Sequence, residues 1–243
     1  MDARTIRERA WSKLGEGNWG KAMLAFLLMW LAGIAISQLL QWIGVSTGNV
    51  KVMTLESAIA DACAKRNMAV PDLNLPQMLM DMKLYIATTR WKLTAALASI
   101  FANGALTAGW ALFAVAMMRN GARVLQVLSG FGSFFSCGWL ALLVVLRITL
   151  WSLLLLVPGL VAFYAYRMVF FLKADHPDWS AGKLIAESSR MMKGHKWRLM
   201  CLDASFIGWL LLVIFTFGLA TVFVTPYMGI ASAAFYEDLL DRS

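Results

Sequence analysis

Residues 157–209 read VPGLVAFYAYRMVFFLKADHPDWSAGKLIAESSRMMKGHKWRLMCLDASFIGW, and their reading decides the fold. Pro158-Gly159 interrupts an apolar run that extends from Gly138 through Leu172. At about 1.5 Å per residue that run is too long for one straight crossing of a bilayer. Proline lacks the amide donor and glycine takes turn conformations, so the break reads as a tight turn. It divides a third span, residues 137–157, from a shorter fourth span, residues 160–173. Residues 174–178 form a polar turn. Residues 179–193 then predict an amphipathic helix, with Leu184, Ile185, Met191 and Met192 on one face and Lys183, Glu187, Arg190 and Lys193 on the other. Gly194 closes it. A fifth span over residues 197–217 turns at Gly218 into a sixth over residues 219–236.

Composition places this stretch in a membrane. Of 243 residues, 60% are hydrophobic and 15% charged, and the mean hydropathy is +0.66. A soluble domain carries roughly 25% charged residues. Trp19, Trp42, Trp91, Trp139 and Trp197 sit near the ends of apolar runs, where an amphipathic ring favours the headgroup level. The net charge of +8 would suggest nucleic acid in a soluble protein. Here the Lys and Arg residues flank apolar runs, as membrane topology requires, and nucleic acid is excluded as a partner. Cys63, Cys137 and Cys201 make neither a disulfide framework nor a zinc pattern. His176 and His195 are the only histidines and have no ligand spacing, so no metal and no cofactor is expected. No hydrolase, metalloprotease or phosphate-loop motif is present, and the protein reads as a non-enzyme.

Working outward, residues 2–14 form a basic segment with Ile6, Ala10, Trp11 and Leu14 on one helical face. It fits a helix lying on an anionic leaflet, and equally a helix packed on protein. The first apolar run, residues 22–43, has the length of a retained span rather than a cleaved signal. Residues 44–91 form a long polar loop, read as a non-cytoplasmic insertion within a single integral membrane domain of residues 1–243. Two helices are expected in it, over residues 54–66 and 77–88. The second span, residues 93–118, carries Gly104, Ala105, Ala108 and Gly109, small residues that allow close helix approach in lipid. A short amphipathic helix is expected at residues 122–131.

The expected fold is therefore all-α, a six-span bundle with amphipathic helices on its cytoplasmic face. Basic segments before the first span, between the second and third, and between the fourth and fifth fall on one side, which places both termini in the cytoplasm. A short amphipathic helix followed by two spans occurs three times, which reads as a threefold parallel repeat. Ser12-Lys13-Leu14 with Gly17 and Trp19 resembles Ser189-Arg190-Met191 with Gly194 and Trp197. Any six-helix protein with basic inner loops would share that order. The spans show no paired interruptions of the kind that mark inverted-repeat transporters.

Several pieces resemble a known pattern. They are Pro158-Gly159-Leu160, Tyr164-x-Tyr166-x-Met168, Ser189-x-Met191-Met192-x-Gly194-x-Lys196, Ser205-Phe206-Ile207-Gly208-Trp209, Pro226-Tyr227 and Phe235-Tyr236. Arg7-x-x-Ala10-x-x-x-Leu14 fits as well. Together they resemble the bacterial membrane family called domain of unknown function 975, itself distantly similar to the membrane region of some glycerophosphodiester phosphodiesterases. The resemblance implies a polytopic protein of the bacterial cytoplasmic membrane, and no activity.

Two arginines carry the functional expectation. Arg147 and Arg167 fall inside spans, where each costs about 2.5–3.5 kcal/mol on insertion scales and should turn toward the interior or water. Asp203 is the natural partner of Arg167. An anionic lipid or anionic substrate could use Arg147 and Arg167, while the bland reading is a structural ion pair and snorkelling. Lys193, His195, Lys196 and Arg198 form a juxtamembrane cluster suited to anionic headgroups, or to anchoring topology. The expected role is lipid interaction or membrane organisation, with anionic lipids, a membrane-protein partner or a second copy as partners. The alternative is a transporter or exporter component with an arginine-lined interior.

Overall fold

The computed structural model describes residues 3–15, 17–47, 50–65, 83–87, 89–119 and 121–242. Among the described residues, five helical stretches are long and apolar enough to cross a membrane: Trp19–Ser46, Arg90–Met118, Val124–Leu154, Val157–Asp175 and Lys196–Phe215. The expected sixth, now Thr221–Leu240, is a helix of suitable length outside that set. Glu237 and Asp238 fall within its last turns, which shortens its apolar run.

The chain divides into two compact units, residues 34–99 and the remainder. In the smaller unit, β1 (Val50–Thr54) pairs antiparallel with β2 (Lys83–Ala87), Val52 opposite Tyr85. A helix, Leu55–Lys65, follows β1. The expected helix over residues 54–66 is thus present. The one expected over residues 77–88 is corrected where it is described, because residues 83–87 are a strand. Tyr85 stands opposite Val52, Ile86 opposite Lys51 and Leu84 opposite Met53, and β-branched and aromatic residues suit an extended, paired backbone. Residues 77–82 and 88 lie outside the described residues. Apart from this ribbon, every regular element among the described residues is a helix, in keeping with the expected all-α class.

In chain order the helices begin with α1 (Ala3–Gly15) in the larger unit and α2 (Trp19–Ser46), which runs from the larger unit into the smaller. With Leu55–Lys65 as α3, the next helix is α4 (Thr89–Met118). A 3-10 helix, Val124–Ser133, runs into α5 (Phe134–Leu154). Then come α6 (Leu156–Ala165), α7 (Val169–Asp175), α8 (Ala181–Met191), α9 (Lys196–Ala204), α10 (Ile207–Phe215) and α11 (Thr221–Leu240). The core gathers around α11, where Ile230, Ala231, Ala233, Ala234, Phe235 and Tyr236 are fully buried. By contrast α10 buries no residue, and Leu153, Leu154, Phe215 and Phe217 at two hairpin tips are exposed. Apolar surface that extensive has a favourable environment only in lipid.

Ile6, Ala10 and Leu14 of α1 are buried, and α1 packs on α11 and α9. Of the two sequence readings, this face belongs to protein. The break between α5 and α6 falls at Leu155, whose extended backbone ends one helix and caps the next. That corrects the hairpin turn from Pro158-Gly159. Pro158 sits in the first turn of α6, where no intrahelical donor is required. Gly159 lets the arms approach, since a Cβ there would lie 2.7 Å from Ser152 Cα.

The spans beyond the break are interrupted twice, at Tyr166-Arg167-Met168 between α6 and α7 and at Ser205-Phe206 between α9 and α10. The expectation of unpaired, unbroken spans is corrected. At the first break Val169 N–H bonds Tyr166, leaving Ala165 C=O to accept from the Ser188 hydroxyl of α8 at 2.8 Å. At the second, Ser205 C=O accepts from Arg7 Nη1 of α1 at 3.1 Å. Helix-breaking sequence in lipid persists when neighbouring side chains satisfy the backbone in this way.

The small residues of α4 do bring elements together. A Cβ on Gly109 would collide with the Val127 carbonyl, one on Gly130 with the Ala105 carbonyl, and one on Gly104 would lie 2.7 Å from the Cys137 carbonyl. We expect Gly109→Ala and Gly130→Ala each to destabilise the protein by about 1–3 kcal/mol through overpacking. Gly33→Ala, with open space around it, should be neutral or stabilising. Thermal midpoints in one detergent check this, and equal behaviour of the three variants would contradict the close packing.

Candidate functional site

Helices α4, α5, α6, α7 and α11 line an open-sided cavity of about 350 Å³, with Trp110, Val144, Ile148, Phe163, Phe170 and Phe171 among the lining residues. Its polar lining is Thr107, Tyr166, Ser232 and one cation, Arg167. Arg167 is placed there by the α6–α7 break, which turns its side chain off the helical path. Its guanidinium lies 5.4 Å from the centre of the Phe163 ring. On its other side Nη2 is 4.0 Å from Asp203 Oδ1, beyond hydrogen-bonding distance. Arg167 and Asp203 side chains retain 32% and 24% of their exposure. The structure thus brings the expected pair together loosely, with donors left over on the arginine.

Arg147 is exposed on α5 and lies outside the cavity lining, so the structure does not bring it beside Arg167. Val144 and Ile148, three residues before it and one after, line the cavity. The long Arg147 side chain can reach an interface by snorkelling.

The juxtamembrane cluster separates as well. Lys193 is exposed, while Arg198 is committed to Asp238 at 2.7 Å and to the face of Phe235 at 5.5 Å. His195 and Lys196 are half-buried. His195 Nδ1 stands 3.4 Å from Arg198 Nη1. Of the four, Lys193 is the most available to an anionic headgroup.

Sequence reasoning missed a clasp on the same ends. Arg119 grips Asp175 through both guanidinium arms at 2.8 and 2.9 Å, and its Nε reaches Glu237 at 2.9 Å. The Tyr236 hydroxyl donates to Asp175 at 2.9 Å. Three helix ends, of α4, α7 and α11, are tied there. The available signal was opposite charge at the ends of apolar runs. Nearby in sequence, buried Lys173 donates to Ser136 Oγ and to the Pro177 carbonyl. Trp179 is stacked on His176 at 3.9 Å and carries Lys183 over its ring at 3.8 Å. No group of three or more potential metal ligands exists among the described residues.

Burial, then the neighbouring Arg198 and Arg242, lower the pKa of His195. The folded protein therefore favours neutral imidazole, and the unfolded chain binds the extra proton as pH falls below about 6.5. Stability is fully present above that value and is lost as pH falls through the lowered folded pKa. The thermal midpoint should drop over that window, and His195→Gln should remove part of the drop. For the arginine pair, Arg167→Ala and Asp203→Asn should each lower the midpoint, and the double variant should recover about 0.5–1 kcal/mol relative to their sum. Strict additivity would show that the two side chains do not interact.

Neither a curated protein nor a solved structure matches this chain. The region that a family model does identify begins just before the α5–α6 break and includes Arg167, Asp203 and α11, but not α1 or α4. A family model described as Protein of unknown function (DUF975) matches residues 153–243.

Proposed function

We propose that this chain is a membrane protein of the bacterial cytoplasmic membrane that holds an anionic amphiphile, a membrane lipid, and catalyses no reaction of its own. The observation that carries the reading is Arg167. It stands in an apolar wall, with its nearest carboxylate at 4.0 Å. A guanidinium in such surroundings favours an anionic oxygen, because charge-assisted bonds strengthen as water is excluded. The surrounding Phe163, Phe170 and Phe171 suit hydrocarbon. A volume of about 350 Å³ takes a headgroup or part of one chain, with the remainder of the lipid outside. By holding lipid at this position the protein would organise its neighbourhood, or present a lipid-backed face to a membrane partner or a second copy.

Orientation follows the same reading. The Arg119 clasp and the basic residues of α1 and α8 would face the cytoplasm, with both termini. The threefold repeat is supported by Gly17 and Gly194, which close two amphipathic helices with φ of +80° and +84° before Trp19 and Trp197. A transporter component is the second reading. What favours it is the pair of interruptions beside Arg167 and Asp203, since broken spans build substrate sites in such proteins.

Native mass spectrometry after mild detergent extraction tests the lipid reading. The wild-type protein should retain phospholipid, and Arg167→Gln should lose one bound molecule per chain. Absence of any retained lipid, with no stabilisation on adding lipid, would overturn it. Retention of a small polar anion instead would favour the transporter component.

A further inference from the structure

We propose a second lipid site, for one anionic phospholipid, in the groove between α1, α10 and α11. Two concavities meet there. The polar one, about 550 Å³, is lined by Arg4, Arg7, Glu8 and Ser12 with Trp11, Trp209 and Tyr227. The apolar one, about 440 Å³, shares Trp11, Trp209 and Tyr227 and continues along Trp19, Leu212 and Phe223. The shared aromatic residues make one continuous groove with a cationic end and a hydrocarbon end. That is the polarity of a phospholipid, and its basic end is complementary to an anionic head.

The cationic end has unused capacity. Arg7 Nη1 donates to Ser205 C=O, and Arg7 Nε is buried with no acceptor among the described residues. A buried charged donor without a partner is destabilising, and such a group in a native protein calls for an ion or ligand. Arg4 is held across the groove mouth by Glu8 at 2.9 Å, on side chains 81% and 62% exposed, a pair that solvent weakens and a phosphate can replace. The aromatic end is already assembled. Trp11 meets Trp19 and Tyr227 edge to face at 5.3 and 5.4 Å, and Trp209 meets Tyr227 at 5.8 Å. Aromatic rings of this kind sit at the boundary between headgroup and chain.

This site goes beyond the Arg167 cavity and shares no lining residue with it, so either reading can fail alone. The test is the thermal midpoint of the full chain in a neutral detergent, titrated with phosphatidylglycerol, phosphatidylcholine and glycerol 3-phosphate. Phosphatidylglycerol should stabilise the wild-type protein with about tenfold greater apparent affinity than phosphatidylcholine, the effect of one charge-assisted contact. Glycerol 3-phosphate, which has no chains, should do nothing at the same concentrations. In an Arg167→Gln background, which removes the cavity's own cation, Arg7→Gln should abolish the preference, and the further variants are read in the same background. Should that variant fail to fold, Ser12→Asp decides, because Ser12 is exposed and an added carboxylate repels the headgroup without touching the core. Lys183→Gln removes a charge outside the groove and should keep the preference. Equal response to the two lipids, a full response to glycerol 3-phosphate, or a preference that survives Ser12→Asp would each overturn the proposal.

Discussion

A backbone carbonyl in hydrocarbon must find a donor, and the architecture of the larger unit turns on two such groups. Ala165 C=O and Ser205 C=O lie at breaks in apolar helices, and each is met by a side chain from a short amphipathic helix. Ser188 supplies one from α8, Arg7 the other from α1. These bonds explain why the amphipathic helices are docked on protein, with Ser188, Ile6 and Ala10 buried. They also explain how the chain can bend at Arg167 and beside Asp203 without leaving polar backbone stranded. The bend in turn aims Arg167 into the cavity. Remove the carbonyl acceptors and the interrupted spans would have little reason to hold these two helices.

Association in lipid gains little from hydrophobicity, since a leucine is as comfortable against an acyl chain as against another leucine. Close fit and polar bonds must do more of the holding. Gly109 and Gly130 permit backbone contact between α4 and the 3-10 helix. Ala231, Ala233 and Ala234 play a similar part on α11, a helix enclosed by protein. Arg119 then ties the ends of three helices at one face. The clasp is polar and peripheral, the glycine contacts are apolar and internal, and they act on different parts of the same helices.

Much of this was legible in the sequence, for reasons that differ by element. The face of α8 could be read because Leu184, Ile185 and Met191 repeat with helical period against charged neighbours, and its end because Gly194 alone suits a positive φ there. Apolar length gave the spans of α2 and α4. The hairpin turn was displaced by three residues because proline marks a first turn as well as a break, and Leu155 carries no signal of its own. The strand at Lys83–Ala87 was hidden, since Tyr85 and Ile86 fit a helical face until Val52 and Lys51 stand opposite them. Arg167 with Asp203 was found from charge and depth. Arg147 could not be placed from the sequence, since charge and depth alone do not say whether a residue joins a cavity lining or stays exposed. The Arg119 clasp joins residues far apart in sequence, which no local pattern reveals.

The bare hairpin tips have a consequence for how the chain enters a membrane. No charged residue occurs between Arg147 and Arg167, or between Asp203 and Glu237. The tips themselves, around Leu155 and Phe217, are apolar and exposed. Threading a loop through a bilayer is costly chiefly for the charges it carries. Each of these two hairpins can therefore be pushed in from one side as a closed pair, without dragging an ionised group across. The charges that fix orientation stay where they began, and the clasp and the helix caps can form only after both hairpins have arrived. Insertion and folding are in this way separated: the first needs only apolar length, while the second waits for Arg7, Arg119 and Ser188 to find acceptors already in place.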